Sequence, residues 1–119
     1  MKVIIAGSRT IDKRYIKDIV SAIKDSKFDI STVISGTAKG VDTMGEYYAK
    51  ALNIPVIRMP ADWNKYGKSA GYLRNVEMAE MADAAILIWD CRSRGTMHML
   101  NIMEERNKPV FLRKVELCL

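Results

Sequence analysis

The feature that most constrains this chain is an alternation: five short apolar runs, with helical stripes between them. Residues 2–6 (KVIIA) are a β-rich run. Ile16, Ile19, Val20 and Ile23 follow at i, i+3, i+4 and i+7, the spacing of one face of an amphipathic helix, with Asp12 near its start to complement the helix dipole. Residues 32–35 read as a second strand. Residues 41–52 read as a helix with Val41, Met44 or Gly45, Tyr48 and Leu52 on one side, and Asn53 as its stop. Residues 55–59 form a third run, with Pro55 tolerated at a strand's first position.

Residues 60–68 are polar and turn-rich, and residues 70–82 are helical by composition more than by stripe. Residues 84–89 are almost continuously apolar, which suits a strand covered on both faces. Residues 97–106 read as a helix and 108–112 as a last strand, while 113–119 either extend that strand or pack as a short apolar closure. The pattern predicts a Rossmann-like α/β fold: an open parallel sheet of five strands, order 3-2-1-4-5, with right-handed crossovers and helices on both faces. At 119 residues the expectation is one domain, 1–119.

Composition narrows the function classes. There is no run of 18 apolar residues, and the first apolar run is too short for a signal sequence. No membrane association is expected. Cys91 and Cys118 have no CxxC spacing, and with His98 as the sole histidine they make no standard zinc set. The expectation is a cytoplasmic protein with reduced thiols, no metal and no cofactor. The net charge of +5 comes from 19 basic and 14 acidic residues and forms no basic run. It suits a phosphorylated ligand better than a dedicated nucleic-acid module.

Ligands of an open α/β sheet bind beyond the carboxyl ends of the strands, so the loops there are informative. They read Gly7-Ser8-Arg9-Thr10, then Ser35-Gly36-Thr37-Ala38-Lys39-Gly40-Val41-Asp42, then Pro60-Ala61-Asp62-Trp63, then Asp90-Cys91-Arg92-Ser93-Arg94-Gly95-Thr96. Arg9, Lys39, Arg92 and Arg94 gather at this edge, with Lys68 and Arg74 nearby in sequence. Gly36–Gly40 opens a helix, and so does Gly95-Thr96. Glycine lets a phosphate approach the backbone, and a helix start offers free N–H groups. The competing reading is a tight turn that needs glycine for its conformation. Neither a Walker A ending nor GxGxxG is present.

Six segments in order, Gly7-Ser8-Arg9, Ser35 to Asp42, Pro60 to Trp63, Gly67-Lys68-Ser69-Ala70-Gly71, Arg74-Asn75-Val76-Glu77-Met78 and Ser93-Arg94-Gly95-Thr96, resemble the SLOG superfamily. They are most similar to its small DUF2493-type branch, common in bacteria and phages. The superfamily includes the Lonely Guy phosphoribohydrolases and the DNA-processing protein DprA. The resemblance implies a Rossmann-like fold, a nucleotide-type ligand and a homo-oligomer. Arg74 and Met78 look like the arginine and methionine of the Lonely Guy RKxxM motif, whose arginine contacts substrate. Gly95-Thr96 looks like the phosphate-binding glycine-threonine of its PGGxGTxxE motif. The glutamate of that motif has no counterpart, because Met99 stands three positions after Thr96.

Single residues carry paired readings. Asp42 either binds ribose hydroxyls or caps its helix. Asp62 and Trp63 form a wall on which a base stacks, or Trp63 packs on the sheet edge. Glu77 and Glu80 read as solvated helix-face carboxylates, and His98 as a packing residue or a general base. The binding set is Gly7, Ser8, Arg9, Gly36, Thr37, Lys39, Gly40, Asp42, Asp62, Trp63, Arg74, Asn75, Ser93, Arg94, Gly95 and Thr96.

Three functions compete. The first is a sensor or sequestering protein for a nucleotide-derived ligand. The second is a nucleotide N-glycosidase, with Arg74 and with Asp42, Asp62 or Glu77 as substitute acid. The third is a nucleic-acid module, which a paucity of expected exposed aromatics disfavours. Breaking an N-glycosidic bond builds positive charge on the ribose, and a positioned carboxylate stabilises it. Met97, His98, Met99 and Leu100 supply none. Turnover of ordinary nucleoside monophosphates is therefore expected to be very slow or absent. Chromatography of a nucleotide panel after incubation tests this. Rapid base release by the wild type, absent in Arg74→Ala, would identify an enzyme instead.

Overall fold

The computed structural model describes residues 1–116. Five strands, β1 (Lys2–Gly7), β2 (Thr32–Ser35), β3 (Val56–Arg58), β4 (Ala84–Trp89) and β5 (Val110–Lys114), form one sheet in the order β3-β2-β1-β4-β5. All the pairings are parallel, with Ile4 beside Ile34 on one flank and beside Ala85 on the other. This is the expected doubly wound order. Helices α1 (Ile16–Ser26), α2 (Val41–Ala51), α4 (Ala70–Met81) and α5 (Arg94–Glu105) connect the strands, with a four-residue α3 (Trp63–Tyr66) before α4.

The strands alternate side chains between two cores, as a period of two requires. Val3, Ile5, Val33, Ile86 and Ile88 pack with Ile19 and Ile23 of α1 and Val41 and Ala49 of α2. Ile4, Ile34, Ala85 and Leu87 pack on the other face with Met78 and Ala79 of α4 and Met99, Ile102 and Met103 of α5. Met78, Met99 and Met103 are thus core filler, as flexible thioethers often are. Tyr47 is exposed and Tyr48 packs against the first core, as their positions on the helix predict.

The elements depart from the sequence pattern at three places. The polar stretch 60–68 is not irregular throughout. Asp62 caps α3 by accepting from the Lys65 N–H at 3.1 Å, and a 3-10 turn follows at Gly67–Ser69. Helix α5 begins at Arg94, three residues before the apolar stripe, because Ser93 caps it and accepts from the Thr96 N–H at 3.4 Å. Asp12 caps a 3-10 turn (Lys13–Tyr15) that leads into α1, so it acts one turn earlier than expected. Strand β5 runs on to Lys114, and Val115 is buried against the first core. Cys118 lies outside the described residues.

Each crossover from β1 to β3 carries the chain one way, and α4 then returns it to β4 on the other side of β1. The loops after β1 and β4 therefore part at their carboxyl ends, and a crevice must open there. Gly7 holds the two strands close at this point. A Cβ on Gly7 would run into the Ile88 carbonyl oxygen and the Val41 side chain. Gly7→Ala is expected to cost about 1–3 kcal/mol or more, the range for overpacking a site that cannot give. Urea denaturation with an unchanged slope and a lowered midpoint is the expected record.

Candidate functional site

The crevice is a cleft of about 510 Å3 lined by Ala6, Gly7, Arg9, Thr10, Ala38, Asp42, Arg74, Asn75, Asp90, Arg92, Ser93, Gly95, Thr96 and Met99. Eight of the expected binding residues meet here: Gly7, Arg9, Asp42, Arg74, Asn75, Ser93, Gly95 and Thr96. A smaller cavity of about 170 Å3 adjoins it, lined by Arg9, Trp63, Lys68, Gly71, Tyr72, Arg74, Asn75 and Gly95. Trp63 belongs to this second cavity. Ser8, Gly36, Thr37, Lys39, Gly40, Asp62 and Arg94 line neither.

Several of those seven shape the cleft from behind. Buried Ser8 accepts the Asp90 N–H on its Oγ at 2.9 Å and so ties the loop after β1 to the loop after β4. Gly40 (φ +81°) lies against the Ser8 and Arg9 backbone, where a Cβ would clash. Asp62 is spent on capping α3. Lys39 and Arg94 are exposed at the rim.

The two glycine loops turn out to be unlike. In the loop before α2 the protein satisfies its own donors. The Thr37 N–H donates to Ser35 Oγ at 3.1 Å, and the Ala38 N–H donates to Asp42 Oδ2 at 3.3 Å. A Cβ on Gly36 would meet the Arg74 guanidinium and the Asp42 carboxylate, so that space is filled. Around Gly95, by contrast, nothing lies within 4 Å of the place a Cβ would take. The start of α5 lines the cleft at Gly95, while its Thr96 N–H is taken by Ser93 Oγ and the Arg92 and Ser93 N–H groups just before it donate to Asp90.

Arg74 reaches across from α4. Its Nη1 donates to the Gly36 carbonyl and its Nε to Asn75 Oδ1 at 3.0 Å. Asn75 in turn donates from Nδ2 to the Gly95 carbonyl and lies equally near His98 Nδ1, each at 3.2 Å. Arg74 is thereby held over the cleft. Among the described residues its Nη2 has no protein acceptor. His98 stacks edge-on with Tyr72 at 4.6 Å between centroids and lines neither cavity, which fits the packing reading.

The sequence model of the YAcAr family (YspA, cpYpsA-related SLOG family) matches residues 1–66, more than half of the chain. The Gene 61 protein of Mycobacterium phage D29 is 31% identical over 117 residues, spanning 92% of this chain and 93% of that one. The chain belongs to this SLOG family. Its fold is also that of DNA processing protein A (DprA) from Streptococcus pneumoniae, with a TM-score of 0.76 at 21% identity. The match covers 93% of this chain and 49% of the DprA chain, so the chain spans about half the length of that protein.

Within this SLOG cleft the expected binding set left out Ala6, Thr10, Ala38, Asp90, Arg92 and Met99 and, in the side cavity, Lys68, Gly71 and Tyr72, although Thr10, Ala38, Asp90 and Arg92 stand in the loops the sequence marks and Lys68 close to them. Asp90 had a legible signal, an acid directly after a buried strand. Its Oδ1 accepts from the Arg92 and Ser93 N–H groups, both at 2.9 Å, and its Oδ2 from Thr10 Oγ1 at 2.7 Å. Those bonds, opposed by some burial, hold its pKa down at about 2, so it is ionised across the physiological range. Met99 occupies the cleft floor while also belonging to the second core. Among the described residues no helix is long and apolar enough to cross a membrane.

Asp42 differs from Asp90. Burial pushes its carboxyl up to about 6, against the pull of the Ala38 N–H and the Arg74 charge. In the unfolded chain the group ionises near 3.8, so the unfolded state loses its proton first as pH rises. Asp42 therefore takes stability away between about pH 4 and 6, on the order of 3 kcal/mol in full. Asp90 works in the opposite sense and below pH 4. Its contribution is present above its unfolded pKa and is lost as pH falls towards 2. Asp42→Asn is expected to flatten the stability profile between pH 4 and 6 and to leave the lower window alone. Urea melts of both proteins at half-unit pH steps measure this. Parallel profiles would show that Asp42 ionises normally.

Proposed function

We propose that this chain binds a nucleotide or nucleotide-derived ligand in the cleft, as a sensor or sequestering protein. The whole of 1–119 serves as one ligand-binding unit, in the DUF2493-type branch of the superfamily and as a homo-oligomer. The observation that carries this reading is the open space at Gly95, at a helix start that shares its cleft with three arginines. A phosphate is attracted to free N–H groups at a helix start and to nearby positive charge. The start of α5 offers space at Gly95, with Arg9, Arg74 and Arg92 on the same cleft outnumbering the ionised Asp90. The start of α2 already has the Asp42 carboxylate in that role.

The rest of the ligand follows from the placement of polar groups. Asp42 and Asn75 are buried acceptors and donors at the inner wall, suited to sugar hydroxyls. Ala6 and Met99 give an apolar floor. An apolar pocket with a few fixed polar groups is what a small ligand needs.

A second reading, N-glycosidic hydrolysis, draws on one observation. Asp42 is a cleft carboxyl that titrates near neutral pH, whereas Asp62 is outside the cleft. The base-release assay distinguishes the two readings.

Arg74→Ala is expected to weaken binding of a nucleoside monophosphate by about 1.5–3 kcal/mol, the range for a charge-assisted hydrogen bond. That is about 10–150-fold in Kd. Titration calorimetry across a monophosphate panel measures it, with circular dichroism to check the fold. Unchanged affinity in a folded variant would remove Arg74 from the site.

A further inference from the structure

The side cavity is unexplained by a mononucleotide. It shares Arg9, Arg74, Asn75 and Gly95 with the main cleft, so the two spaces adjoin at those residues. Beyond the wall stand two large aromatic side chains in contact with water: Trp63 is 52% exposed and Tyr72 is 49% exposed. Trp63 is not loosely placed. It lies on Gly71, whose missing Cβ would sit 3.4 Å from Trp63 Cη2. The capped turn of α3 fixes the backbone that carries it. Lys68 adds a third positive side chain beside Arg9 and Arg74.

An exposed aromatic ring, backed by a helix and ringed with cations, is a platform for a flat aromatic group next to negative charge. The shared wall is cationic and holds Gly95, the open helix start. We propose that the site takes a dinucleotide-type ligand, with one nucleoside in the main cleft, the linking phosphate at Arg9, Arg74 and Gly95, and the second base on Trp63. This rests on the nucleotide reading above and names the ligand class within it. The far end of the cleft holds Thr10, Asp90 and Arg92, none of which line the side cavity. There the Thr10–Asp90 hydrogen bond joins the loops after β1 and β4. The proposal places the two units between that join and Trp63.

The test compares the four 5′-phosphorylated homodinucleotides (pApA, pGpG, pUpU and pCpC) with the matching monophosphates. At least one dinucleotide is expected to bind tenfold or more tightly than its monophosphate. In Trp63→Ala that ratio is expected to fall below two. Tryptophan emission gives a second readout. The dinucleotide should quench wild-type fluorescence, and should quench it little in Trp63→Phe, where only Trp89 remains. Equal binding of dinucleotide and monophosphate would overturn the dinucleotide class and leave the nucleotide reading standing. No binding of either would overturn both. Twelve-residue oligonucleotides binding far more tightly than dinucleotides, with steep salt dependence, would overturn it in favour of a strand-binding groove.

Discussion

The pairing of β1 with β4 is the constraint on which the rest depends. It is the contact between the two halves of the winding, and it holds five residues in parallel register from Val3 beside Ala84 to Gly7 beside Ile88. Without a side chain at Gly7, the strands stay close to their last residue, and the Ser8 N–H can reach the Ile88 carbonyl at 3.1 Å. Only past that point do the chains separate, one towards Arg9 and Thr10, the other towards Asp90 and Arg92. Ser8 and Asp90 then rejoin them by hydrogen bonds. The cleft therefore has a root tied by hydrogen bonds. Its position is set by backbone packing before any ligand-contacting side chain is considered.

The architecture was legible because its signals are periodic. Ala84–Trp89 could be read as a central strand because both faces are covered, and every residue from Ala84 to Ile88 is buried. The helices at 16–26 and 41–51 announced themselves by stripes that match the buried positions Ile19, Ile23, Val41 and Gly45, although Ile16 and Leu52 of the same stripes are exposed. The loops were legible only in part. Gly7, Arg9 and Gly95 could be assigned to the cleft because topology puts them there, and Arg74 because it resembles the Lonely Guy arginine. Whether a glycine loop is open or filled depends on a side chain from elsewhere. Arg74 lies 38 residues from the Gly36 carbonyl it bonds, and no local pattern reports that contact. The same holds for aromatics. Trp63 and Tyr72 sit in polar or weakly amphipathic stretches, so their exposure follows from the way α3 and α4 pack. The case against nucleic acid that rested on few exposed aromatics loses force accordingly.

Electrostatics then divides the labour between the two helix starts. Asp42 stands in the first turn of α2 and receives the Ala38 N–H, doing internally what an anionic ligand would do from outside. Its burial is costly, and the nearby Arg74 charge offsets only part of that cost. In return the loop from Gly36 to Gly40 is fixed, and Arg74 is fixed with it. Arg74 itself is held in place by neutral acceptors, the Gly36 carbonyl and the Asn75 amide oxygen. Neither acceptor cancels its charge, which only the Asp42 carboxylate nearby offsets in part.

The floor of the cleft limits what chemistry this SLOG chain can do there. Met99 lines the cleft and is 2% exposed, because the same side chain packs in the core between the sheet, α4 and α5. Ala6 has the same double membership. A charged group at position 99 would have to be desolvated among Met78, Leu87 and Met103, a cost that only a paired cation or a ligand could offset. Polar function is therefore confined to the walls and rim, where Arg9, Arg74 and Arg92 act on whatever enters. The floor contributes shape and dryness. A dry floor strengthens every charge interaction at the walls, since the field between an arginine and a phosphate is less screened there than in water. The architecture that makes a carboxylate at position 99 expensive is thus the one that would favour the anion proposed at the mouth of α5.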